Sequence, residues 1–258
     1  CAIQDSLIKD INQPVGDFIP EYKEGERSKI TIRNLLSMSS NLSWDESYSS
    51  LFSITTQAYY GNDVKRIVLN LHSLGEPGKY FDYRGSDPQL LALVIERVTG
   101  KKLSEYTSEK LWKLLGAEHD ALWNLDRKNG TEKASCCFNS NARDFARIGQ
   151  LVLNGGKWKG KQIIPEWYLK EATNPVSELI DKELQKPNNR YGYQWWYLNY
   201  KNYHIKYARG ILGQYIFVIP ELNAVIVRLG HKRNDVKLDG HPEDVYKYID
   251  YGIDIINK

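Results

Sequence analysis

The sequence predicts an α+β fold, with a mainly helical lobe followed by a small antiparallel sheet and a covering helix. Three observations predict it. As far as Arg190, apolar residues recur at helical spacing between recognisable capping residues. From Tyr191 the texture changes to short aromatic and β-branched runs separated by turn residues. A last amphipathic stretch from Pro242 to Ile256 buries Val245, Ile249 and Ile256 on one side. Helices first and strands afterwards argue against a doubly wound parallel sheet. The expected division is 1–190 for the helical lobe and 191–258 for the sheet with its helix, both parts of one domain.

The elements follow in order. Ile3, Leu7 and Ile8 read as the end of an amphipathic segment, and Pro14 and Pro20 make the next stretch a loop. Thr31 is placed to cap a short helix through Ile32, Leu35, Leu36 and Met38. Asn62 or Asp63 opens another through Val64, Ile67, Val68 and Leu71. The clearest start is Ser86-Asp87-Pro88-Gln89, with Ser86 as cap, Gln89 reaching back to it, and Pro88 tolerated in the first turn. Leu90, Leu91, Val94, Ile95 and Val98 form its apolar face, and Gly100 ends it. Further helices are expected from Ser104 to Leu115, from Ser140 or Asn141 through Val152, and from Pro165 through Leu169. Strands are expected at Tyr191–Leu198, Tyr203–Tyr207, Gln214–Ile219 and Ala224–Leu229, the last two joined as a hairpin by Pro220-Glu221-Leu222-Asn223.

Composition narrows the function classes. The 258 residues are 41% hydrophobic and 26% charged, an ordinary balance for a chain long enough to bury a sizeable core. A net charge of +3, from 35 basic residues scattered among 32 acidic ones, supplies no concentrated basic face for a nucleic acid. No apolar run approaches the roughly 18 residues of a membrane span. Cys1, Cys136 and Cys137 make no disulfide framework, and the vicinal pair reads as two small packing residues. The five histidines form no HExxH pair, no Cys/His spacing suggests zinc, and no metal is expected.

No local motif settles the chemistry. The chain has no GxSxG elbow and no phosphate-binding glycine loop. It contains a single Ser-x-x-Lys, Ser6-Leu7-Ile8-Lys9. On a helix that spacing sets the amine beside the hydroxyl, where it can take the proton of a nucleophile. Here the motif runs directly into the proline loop, which holds no such geometry rigidly.

Five segments occurring in order, 8–22, 30–46, 80–100, 141–167 and 191–230, together resemble the serine β-lactamase and penicillin-binding-protein superfamily. The nearest subgroup is the class C-like esterases and 6-aminohexanoate-dimer hydrolases. The resemblance implies a β-lactamase-like fold whose first strands and start of catalytic helix lie outside this sequence. It makes Cys1–Gln4 the tail of that helix, puts the nucleophilic Ser-x-x-Lys upstream of Cys1, and turns Ser6 and Lys9 into a decoy. The 258 residues alone are then expected to be inactive.

Site residues carried over by the resemblance are Tyr83, in Phe81-Asp82-Tyr83-Arg84-Gly85-Ser86, as proton carrier, and the backbone N–H of Gln214 as an oxyanion donor. Gly213 stands where substrate approaches a strand edge. Ile211 and Leu212 replace the family's cation-bearing motif, with Arg209 the nearest substitute. Gly85 stands at the family's Asn position, so Ser86 is a candidate to replace that contact. Trp44, Trp195 and Trp196 are candidate cleft residues, although alternation allows only one of the last two to face a cleft.

The implied reaction is acyl transfer through an acyl-enzyme on a small-molecule amide, ester, peptide or β-lactam, needing no organic cofactor, and the family suggests a bacterial cell envelope or periplasm. The departures at Gly85, Ile211 and Leu212 keep open a non-catalytic module that binds a ligand or partner. The sequence leaves the oligomeric state undetermined.

Overall fold

A computed structural model describes residues 1–48 and 50–257. It shows an α+β arrangement of helices and antiparallel strands, and it divides the chain into two units, neither of them a continuous run. The first comprises Cys1–Leu114, Ala121–Asn139 and Glu178–Ile180; the second comprises Leu115–Asp120, Ser140–Ser177 and Asp181–Lys258.

In the first unit the helices are α1 (Ile32–Leu36), α2 (Ile54–Tyr60), α3 (Val64–Leu69), α4 (Ser86–Thr99) and α5 (Leu103–Thr107). Thr31 caps α1 as expected: its hydroxyl accepts the Asn34 N–H, and Asn34 Oδ1 accepts the Thr31 N–H. Asp63 caps α3 in the same manner. Gly100, at φ 65°, closes α4.

The start of α4 departs from expectation. Gly85 is the N-cap, and Ser86 lies inside the first turn. Gln89 does not reach back. Its Nε2 donates to the Glu132 carbonyl and its Oε1 accepts the Ala134 N–H, both at 2.9 Å. Ser86 and Gln89 are both fully buried. At a buried position, satisfying two backbone groups of a neighbouring loop outweighs satisfying one at the helix start.

Two further expectations change in this unit. Cys1–Ser6 forms only a single turn, Asp5 N–H to Cys1 O at 2.9 Å, and Ser6 leaves it with a left-handed backbone at φ 58°. Ser6 and Lys9 are exposed and share no helical turn. Cys136 and Cys137 are joined as a vicinal disulfide rather than packing as separate small residues. The left-handed backbone of Cys137, at φ 72°, turns the chain there.

The second unit holds α6 (Ala142–Leu153), α7 (Glu166–Ala172) and α8 (Glu243–Ile256), with β1 (Trp196–Tyr200), β2 (Tyr203–Gly210), β3 (Gln214–Ile219) and β4 (Ala224–Arg228). The strands form an antiparallel sheet in the order β4-β3-β2-β1. Trp196 pairs with Tyr207, Gln214 with Gly210, and Ile219 with Ala224. β1 begins later than expected because residues 191–195 reverse direction: Gln194 is left-handed at φ 61°, and Gly192 N–H bonds Trp195 O at 2.9 Å.

The two faces of the sheet bury different helices. Val225 and Ile216 meet α6 so closely that a Cβ on Gly149 would lie 2.5 Å and 2.9 Å from their methyl carbons. The next residue along β4, Ile226, meets Gly252 of α8, as alternation requires. Val152 of α6, Leu169 of α7 and Val218 of β3 form one buried cluster. That packing explains why α6 and α7 belong with the sheet and not with the preceding helices.

Candidate active site

The loop ahead of α4 presents Tyr83. Tyr83 is half-buried, whereas Arg84, Gly85, Ser86 and Asp87 are all buried. The Arg84 guanidinium anchors the loop. Its Nη1 donates to the Leu42 carbonyl and, at 2.5 Å, to the Trp44 carbonyl, and its Nε donates to Asp82 at 3.0 Å. From the other side the Glu46 carboxylate accepts the Gly85 N–H at 2.8 Å and the Trp44 indole N–H at 2.7 Å.

Gly85 leaves no gap where the family carries Asn. A Cβ there would lie 3.1 Å from the Trp44 ring and 3.3 Å from Ser135 Cβ. Trp44 is 4% exposed, so it packs behind the loop and is not an open wall of a cleft. Ser86, the candidate to replace the Asn contact, is wholly buried, and its hydroxyl donates to Asp87 at 3.0 Å.

Asp87 is the buried charge beneath this loop. Ser40 Oγ donates to its Oδ1 at 2.6 Å, and its Oδ2 has no hydrogen-bond partner among the described residues. Burial raises its pKa to about 7, against the lowering pull of the Ser40 and Ser86 hydrogen bonds and of Arg84. The protonated form is thereby favoured into the neutral range. The sequence reading treated Asp87 only as part of a helix start.

Within the second unit, Arg209, Gly213 and Gln214 come together around the β2–β3 hairpin. The turn is Ile211–Gly213, with Leu212 at φ 64° and Gly213 at φ 83°. The open approach expected at Gly213 is filled. Arg228 Nη1 donates to the Gly213 and Leu212 carbonyls, and a side chain on Gly213 would strike that guanidinium. Gln214 opens β3, and its side chain donates to the Gly230 carbonyl at 2.6 Å.

Arg209 is half-buried and stacks on Trp196, with its guanidinium carbon 3.5 Å from the ring centroid. Its Nη1 is buried with no hydrogen-bond partner among the described residues. Trp196 is 3% exposed, with Arg190 on it as well, at 5.4 Å, so it is a core residue and not a substrate contact. Trp195 is half-buried against the Val152, Leu169 and Val218 cluster.

Arg190, overlooked in the sequence, is the electrostatic centre of this face. It is buried and donates to Asp181 at 2.5 Å and 3.0 Å, to Glu183 at 2.7 Å, and to the Gly240 carbonyl at 2.8 Å. Nearby, the His241 ring contacts the Tyr207 hydroxyl at 2.5 Å. Burial, reinforced by Arg209 and Arg190, lowers the His241 pKa to about 3. No sequence signal distinguishes Arg190 from a surface arginine; it becomes special only through the fold.

Among the described residues, no cluster of three or more His, Cys, Asp or Glu converges as a metal site, and no helix is long and apolar enough to cross a membrane.

The Beta-lactamase family model matches residues 8–245. The chain belongs to the Beta-lactamase family. It is 26% identical over 243 residues to 6-aminohexanoate-dimer hydrolase of Paenarthrobacter ureafaciens, covering 88% of this chain and 61% of that relative's length. Among solved structures, a Bacillus anthracis protein named provisionally as a 6-aminohexanoate-dimer hydrolase superposes with a TM-score of 0.81 at 24% identity, covering 99% of this chain and 68% of that one. A family VIII carboxylesterase gives 0.73 at 20% identity, covering 96% and 77%. These two structures share the fold, including the β-lactamase-like combination of helices and antiparallel sheet.

Proposed function

We propose that the protein to which this chain belongs is a serine hydrolase that acts through an acyl-enzyme on a small amide or ester. The supporting observation is the presentation of Tyr83. A half-buried tyrosine immediately precedes two residues anchored to a neighbouring segment, and the four residues after it are buried. In this reading Tyr83 carries a proton between the nucleophile and the leaving group. The Gln214 N–H and the nucleophile's own N–H hold the oxyanion. The nucleophile belongs to a Ser-x-x-Lys preceding Cys1, because Ser6 is left-handed and shares no helical turn with Lys9.

The relatives named as hydrolases and esterases support the reaction class, and a small amide or ester fits them better than a β-lactam-specific site. With Ile211 and Leu212 at the family's cation position, Arg209 is the nearest candidate to grip a carboxylate. The departures at Gly85, Ile211 and Leu212 favour a second reading, a ligand-binding module without turnover.

Fluorophosphonate labelling and p-nitrophenyl acetate turnover by the full gene product separate the two. Labelling at a serine upstream of Cys1, with Tyr83→Phe lowering kcat about 100-fold or more, is the expected result. Complete silence toward both reagents would assign the binding module. The 258 residues alone are expected not to turn over nitrocefin or simple esters, and serine-dependent turnover by them would reassign the nucleophile to this chain.

A further inference from the structure

Resting on the proton-carrying role read for Tyr83, we propose that Glu46 is the positioning residue of the Tyr83 loop. One carboxylate there collects three donors. Its Oε2 accepts the Trp44 indole N–H at 2.7 Å and the Gly85 N–H at 2.8 Å, and its Oε1 accepts the Tyr48 hydroxyl at 2.5 Å. Gly85 is the N-cap of α4 and lies two residues after Tyr83. A cap residue ordinarily supplies its own side-chain acceptor at a helix start, which glycine cannot do. Glu46 plays the other half of a capping box from a remote segment, accepting the cap residue's own N–H, with its charge at the favourable end of the helix dipole.

The same carboxylate fixes what lies behind the loop. With its N–H held by Glu46, the Trp44 ring occupies the space a side chain at position 85 would need. Arg84 donates to the carbonyls on that same strip, Leu42 and Trp44. Residues 84 and 85 are therefore tied to 42–46 by charged side chains reaching in both directions, and the phenol immediately before them inherits that placement. A misplacement of about 1 Å in a group that transfers a proton is enough to cost rate. Glu46 touches no reacting atom in this scheme and acts only through the loop.

Two conservative substitutions in the full gene product separate geometry from charge. Glu46→Gln keeps the length: its amide oxygen can accept from Trp44 and Gly85, and its amide nitrogen can donate to the Tyr48 hydroxyl. Glu46→Asp keeps the charge but is one carbon too short to hold all three donors. We expect Gln to retain kcat for p-nitrophenyl acetate within threefold, and Asp to lose tenfold or more in kcat with KM within threefold. Amide hydrogen exchange across 82–87 should quicken in Asp and stay at the wild-type rate in Gln. Asp active with Gln impaired would overturn the proposal in favour of a purely electrostatic role, and equal kcat in both would overturn it outright. If Tyr83→Phe leaves turnover intact, or the wild type has none, the proton-carrying reading fails. Glu46 is then judged by exchange alone, and unchanged rates across 82–87 in the Asp variant would overturn its positioning role.

Discussion

Replacing Asp87 with Asn tests the electrostatics beneath the Tyr83 loop. Burial moves this carboxyl from its ordinary 3.8 to about 7. At about 1.4 kcal/mol per pH unit, that interval is worth on the order of 4 kcal/mol. The sign follows from proton counting. Between pH 4 and pH 7 the unfolded chain has largely released the proton while the folded chain still holds it, so stability falls as pH rises across that window. Below pH 4 both states are protonated and the full contribution is present. Asn carries no proton to lose and keeps an oxygen for Ser40 and Ser86, which donate to Asp87 at 2.6 Å and 3.0 Å. The stability of Asp87→Asn relative to wild type should therefore climb by on the order of 4 kcal/mol between pH 4 and pH 8. Urea unfolding at each pH, with Cm and m fitted together, measures it. Parallel pH profiles for the two proteins would refute the reasoning and show that Asp87 ionises as an ordinary carboxylate.

Three further outcomes can be checked. Gly149→Val adds a side chain where even a Cβ would lie 2.5 Å from Val225, and urea unfolding should show a loss of about 1–3 kcal/mol from overpacking between α6 and the sheet. Arg190→Met leaves the buried Asp181 without its guanidinium and should destabilise the protein by about 3–5 kcal/mol; a change below about 0.5 kcal/mol would place the pair in the class of surface ion pairs. Thiol titration of the denatured, unreduced 258-residue chain should count one thiol, Cys1, and three after reduction; three before reduction would remove the vicinal disulfide.

Much of the fold was legible because it rests on local rules. Thr31, Asp63 and Asn141 act through side chains that reach backbone groups three residues away, so the cap and the helix it starts are read together. The β3–β4 hairpin was equally readable, since Pro220-Glu221-Leu222-Asn223 carries its own turn, with Asn223 left-handed at φ 46°. The start of α4 was misread at the point where local and distant partners compete. Gln89 had a backbone N–H to accept from nearby and a better pair of partners in a loop more than forty residues on. The start of β1 was misread because Tyr191–Leu198 has strand composition throughout, while the reversal at Gly192 and Gln194 is a backbone event.

By itself the sequence determined the class of fold, the position of Tyr83 before a long helix, and the hairpin that begins at Gln214. These depend on periodicity, on capping and on a family resemblance distributed along the chain. Only the tertiary structure decided what each side chain is committed to. It put Trp44 into the space beside Gly85, gave Ser86 to Asp87, covered Gly213 with Arg228 and buried Trp196 under two arginines. The reason is physical. A polar or aromatic side chain in a folded chain goes to whichever partner best offsets its desolvation, and these partners lie between 1 and 41 residues away, most of them beyond the reach of any local pattern.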